Sequence, residues 1–180
     1  MARQPSWKLM APVRLAQHRA RDSQVNAMQP DAKTTLERRQ DQFENFYNEL
    51  MPSLVYFLKR LGIEPAHEVL NHASAFKEPI AAALQNLVAE DDADRIWLIS
   101  RVGYFIGEYF AQKFSGHWFV NDVEGSKFFA RYVVGRFTAP VRSNAMIDPF
   151  DAAQAYVDSP VPRRLDKVLN EIEHDLSPSQ

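Results

Sequence analysis

From residue 31 onward, apolar residues recur at the three- and four-residue spacing of helices. Leu36, Phe43, Phe46, Tyr47 and Leu50 mark a first segment, with Asp31 or Thr34 as cap and Glu37 closing a capping box on Thr34. Pro52 is expected to interrupt or kink this run. A second piece carries Leu54, Val55, Leu58 and Leu61 and stops at Gly62. The chain starts again after Pro65, and Ile80, Ala83, Leu84 and Leu87 form the next stripe. Asp91, Asp92 and Asp94 suit the positive end of a long helix over about residues 93–114.

That helix contains the segment WLISRVGYFIGEYF, residues 97–110. Ile96, Ile99, Gly103, Ile106 and Phe110 share one side; Leu98, Val102, Phe105 and Tyr109 cover the next. Only Asp94, Arg101 and Glu108, spaced by sevens and nearly eclipsed, remain as a polar stripe. A helix apolar over most of its girth belongs at the centre of a fold. Fourteen residues with charged flanks are too short to span a bilayer, which takes about 20, so no membrane insertion is expected. Gly103 and Gly107 lie on one side, and each costs roughly 1 kcal/mol against alanine in a helix interior. Close approach of another backbone or a large aromatic would compensate; a homodimer seam is the alternative.

After Gly116 the period changes. HWFVN and FFARYVVGRFT are aromatic and β-branched around turn residues, which predicts an antiparallel hairpin with a loose loop over about residues 117–137. A short third strand is placed at residues 145–147. Asp148-Pro149 is a helix start, cap and first-turn proline together. A last helix aligns Leu165, Val168, Leu169, Ile172 and Leu176. The expected fold class is therefore α+β and predominantly helical: a helical bundle around the central apolar helix, a small antiparallel sheet, and two C-terminal helices. The absence of alternating strands and helices argues against a Rossmann-type domain.

Composition adjusts this picture at the N-terminus. Residues 1–22 hold five basic residues against one acidic, a net of +4; the whole chain is −2, which leaves −6 on the rest. With sparse periodicity, residues 1–30 are expected to be a disordered basic leader, without the apolar run of a signal peptide. Residues 31–176 then form one domain and 177–180 a frayed tail. The 180 residues include no cysteine, which removes disulfides, thiolate chemistry and Cys-bound metals and fits a cytoplasmic protein.

His67 and His72 are five apart, roughly 140° around a helix, and cannot share a zinc ion. His117 beside Trp118 belongs to no nucleophile-elbow pattern. VVGRFT lacks a phosphate-loop lysine. No catalytic residue, metal or cofactor is assigned. The polar stripe offers a candidate groove of Arg101, Tyr104, Glu108 and Trp118, with Glu108 the best candidate for a raised pKa. The hairpin carries rings on both faces, and Phe119, Phe128, Phe129 and Tyr132 form a candidate interaction surface. Lys127, Arg131 and Arg136 interleave with these rings, but Asp122 and Glu124 at the tip disfavour nucleic acid.

Three pieces, IGEYFAQKFSGHWFVND, FFARYVVGRF and IDPFDAAQAYVD, together resemble a pattern of small bacterial proteins that have no established function. Gly107, Glu108, Tyr109, Trp118, Asp148, Pro149 and Phe150 are the positions that carry it. The resemblance implies no catalytic residues. Similarly built helix-plus-hairpin proteins include immunity and accessory proteins, an analogy of fold alone. The expectation is a domain that binds another protein, or itself as a homodimer, without chemistry. The alternative is an enzyme or small-ligand protein using the groove at Tyr104, Glu108 and Trp118.

Overall fold

The computed structural model describes residues 32–178, so the expected basic leader lies outside the described residues. Helices α1 (Ala32–Asp41) and α2 (Phe43–Arg60) open the fold. The break between them falls at Gln42; α2 runs through Pro52 without ending. Pro52 is exposed while Leu50, Leu54, Phe57 and Leu58 are fully buried. The carbonyl that loses its partner to proline therefore faces water, and the buried face holds the helix together. Gly62, at φ +73°, ends α2. Ile63 N–H reaches the Leu58 carbonyl and Gly62 N–H the Lys59 carbonyl, the paired bonds of a left-handed C-terminal cap.

Short helical turns follow: Ala66–Glu68, then α3 (Val69–His72), then Ala73–Phe76, leading into α4 (Lys77–Leu84). They bury Ala66, Val69, Ala73, Phe76, Ile80 and Leu84. Helix α5 (Asp92–Phe114) is the axis of the fold, and it packs against α2, α3, the sheet and above all α6 (Pro149–Asp158). Asp91 caps it by accepting from Asp94 N–H. Its far end falls at Phe114, within the expected bounds. Ser115 takes the left-handed position at φ 50°, not Gly116. Gly116 serves close approach instead: a Cβ there would meet the Phe137 ring at 2.4 Å and the Gly135 carbonyl at 2.9 Å.

Strands β1 (His117–Val120), β2 (Tyr132–Gly135) and β3 (Met146–Ile147) form an antiparallel sheet in that order. Trp118 pairs with Val134, and Val134 with Ile147, so this row faces the core. The β1–β2 connection is not loose. Asn121 is fully buried, donates to Ser126 Oγ at 3.0 Å and accepts from Val123 N–H, while its backbone bonds Ala130 and Arg131. Asp148 caps α6 through Phe150 and Asp151 N–H and pairs with Arg131 at 2.8 Å. Helix α7 (Leu165–Leu176) closes the core with Leu165, Leu169 and Leu176. The chain is thus a predominantly helical α+β fold around α5. No helix among the described residues is long and apolar enough to cross a membrane.

Candidate functional site

Helix α5 is not uniformly central. Near its start Ile96 is 63% exposed and Trp97 38%; from Phe105 to Phe110 every residue is buried. Glu108 lies in the buried half, 5% exposed, although it shares a helical stripe with half-buried Arg101. Its Oε1 accepts from the Trp118 indole Nε1–H at 2.8 Å. Burial pushes the Glu108 carboxyl above its ordinary value, opposed by bonds from Trp118 and the neighbouring Gln112.

The glycines make this approach possible. A Cβ on Gly107 would lie 1.8 Å from Trp118 Cζ2, so the indole rests on bare backbone. A Cβ on Gly103 would lie 2.6 Å from the Phe150 ring. Both sites are closed by aromatic rings from the same chain, which leaves no glycine seam for a second copy. Phe46 of α2 completes the cluster: it stacks on Tyr132 at 4.1 Å and meets Trp118, Tyr104 and Phe150 edge-on.

Beside this cluster a cleft of about 400 Å³ opens between α2, the end of α5 and the start of β1. Phe43 and Tyr47 wall it from α2; Glu108, Ala111 and Gln112 come from α5; Gly116, His117 and Trp118 complete it. Gln112 is fixed from behind, accepting from Ala73 N–H and donating to the Val69 carbonyl. Tyr47 is 41% exposed, and partial burial together with the Glu108 charge raises its phenol. The lining includes a carboxylate, an imidazole, a phenol and a carboxamide, but no serine, threonine, lysine or arginine. Among the described residues, no serine, threonine or cysteine stands there as a nucleophile. Among the described residues, no group of three His, Cys, Asp or Glu side chains is placed to hold a metal ion.

The four groove candidates separate into two pairs. Glu108 and Trp118 are joined at the cleft. Arg101 and Tyr104 lie elsewhere on α5: the Arg101 guanidinium sits 5.6 Å from the Trp97 ring centre and 5.4 Å from that of Tyr104. Burial raises the Tyr104 phenol, against the Arg101 charge. Sequence reasoning missed Phe43, Tyr47, Gln112 and His117 as cleft residues. Gln112 was accessible to it, being four residues after Glu108 on the same helical face. Phe43 and Tyr47 depend on how α2 crosses α5, which no local spacing encodes.

The hairpin rings are half-buried rather than openly displayed. Tyr132 is covered by Phe46 of α2. Arg136 lies over Phe119 at 4.3 Å and Lys127 over Phe128 at 4.5 Å, while Arg131 is held by Asp148. The basic residues thus cover the rings instead of lining a groove. Compared with protein-family models, curated proteins and solved structures, the chain finds no match.

Proposed function

We propose that the chain is a binding domain without chemistry of its own, and that the cleft over Glu108 receives a side chain of a partner protein. One observation carries this reading: a buried carboxylate, tied to an indole, forms part of the wall of an open cleft edged by exposed Tyr47. Among the described lining residues no lysine or arginine offsets this carboxylate, and a buried charge without a partner is costly, so a cation from a partner would relieve it. Among the described residues, no serine, threonine or cysteine lines the cleft, which favours recognition over turnover. The resemblance to helix-plus-hairpin proteins is compatible with an immunity-like or accessory role beside a larger partner.

The test is a photo-crosslinking pair. Benzoylphenylalanine at position 47 is expected to trap a discrete partner in the native lysate. The same group at position 56, nine residues or about 14 Å further along α2, is expected not to. Equal patterns from both positions, or no product from position 47, would overturn the reading.

The enzyme or small-ligand alternative rests on the raised Glu108 carboxyl, the kind of group that holds a proton for transfer. It predicts a small molecule retained at the cleft, visible as a mass increment in native mass spectrometry that disappears in Glu108→Gln.

A further inference from the structure

Resting on the binding reading, we infer that what enters the cleft is a compact cation, the ammonium of a lysine side chain presented by the partner. Three features point to this chemistry. The cleft is walled by the rings of Phe43, Tyr47 and Trp118, and aromatic faces attract cations placed over them. The fixed anion, Glu108, is 5% exposed and has no lysine or arginine among the cleft residues to neutralise it. The full chain carries a net charge of −2, so no positive net charge opposes the approach of a cation.

The geometry also chooses between the two basic side chains. Oε1 of Glu108 is committed to the Trp118 indole at 2.8 Å. Gln112 bonds the same carboxyl, while its amide also accepts from Ala73 N–H and donates to the Val69 carbonyl. These bonds leave the carboxylate without a pair of parallel free acceptor sites. A guanidinium is bound best by two parallel bonds to a carboxylate, whereas an ammonium is a point charge satisfied by one. Ala111 and Gly116 keep part of the lining small, which admits an aliphatic stem.

The experiment titrates the full-length, 15N-labelled protein with N-acetyl-lysine methylamide, whose only charge is its side-chain ammonium. The reporter is the Trp118 indole N–H, with Trp97, packed against Arg101 and Phe57, as internal control. A saturable shift of Trp118 but not Trp97 is expected. The Nε-acetylated, uncharged analogue should produce no such shift, and the arginine analogue should bind more weakly. Glu108→Gln keeps an oxygen to accept from the indole and should weaken lysine binding about tenfold or more, the effect of losing a charge-assisted bond. Equal shifts with charged and uncharged analogues, or unchanged binding in Glu108→Gln, would overturn the inference. So would a Trp118 shift produced by raising protein concentration alone, which assigns the cleft to a second copy. Should no lysine analogue bind while position 47 still traps a partner, the ammonium inference fails and the binding reading stands. Failure of both removes both.

Discussion

Gly107 and Glu108 are adjacent residues with opposite relations to one ring. Gly107 makes room for the Trp118 indole, and Glu108 fixes it by a hydrogen bond. Alanine is the better helix former by roughly 1 kcal/mol, so in an open helix Gly107→Ala would stabilise. Here the new methyl would overlap the indole, and overpacking is expected to outweigh the gain, for a net loss of about 2 kcal/mol in urea unfolding. Gly103→Ala should lose less, because the obstructing Phe150 ring is half-buried and can move. Equal or raised stability in Gly107→Ala would refute the close approach. Glu108 makes a second prediction at this scale. With its native pKa raised, the folded state holds this proton more tightly than the unfolded chain. Its contribution is fully present below the ordinary glutamate value of 4.5 and is lost as pH rises through the higher native value. Glu108→Gln does not titrate, so its stability relative to the parent should increase across that window. A pH-independent difference between the two would contradict the burial of the charge.

At the scale of elements, helix α6 is held at its start by one side chain. Asp148 accepts from two free N–H groups of the first turn and pairs with Arg131 from the end of the β1–β2 connection. Asp148→Ala is expected to cost about 2–3 kcal/mol, the sum of a lost cap and a lost charged bond. Asp148→Asn keeps the cap and should recover most of it; equal losses would show that the Arg131 pair dominates. This start was legible in the sequence because Asp-Pro acts within a single turn, as were the central helix, the three strands and the stripe of α7. The α2 break was not, because Pro52 is tolerated only when its helix face is exposed, a property of the packing. The ordered β1–β2 connection was missed for a related reason. Asn121 and Ser126 are ordinary loop residues until the fold buries one and points it at the other. Of the four groove candidates, Glu108 and Trp118 lie in hydrogen-bond contact. Arg101 and Tyr104 were grouped with them by helical angle alone, but the helix emerges from the core between positions 108 and 101.

Across the whole molecule, the C-terminal half is locked to the helical half by a buried arginine. Arg163 is 8% exposed; its side chain donates to the Val157 carbonyl at the end of α6 and to the Leu87 carbonyl after α4. Its backbone N–H donates to the Gln85 carbonyl at 2.7 Å. Helix C-terminal carbonyls carry partial negative charge, so the guanidinium suits the end of α6 while its second bond ties that end to the segment after α4. Arg163→Met keeps the bulk and removes the donors, and should cost about 2–4 kcal/mol in one cooperative unfolding transition. Stability within the error of the parent would show that the two halves are held by apolar packing alone.

The central claim is that Glu108 is a buried carboxylate bonded to Trp118 beside an open cleft. The most direct measurement is an NMR pH titration that follows the Glu108 side-chain carboxyl carbon and the Trp118 indole N–H in the same sample. The account predicts a Glu108 midpoint above 4.5, with the indole resonance moving through the same midpoint. A midpoint at or below that value, with an indole resonance indifferent to it, would contradict the account.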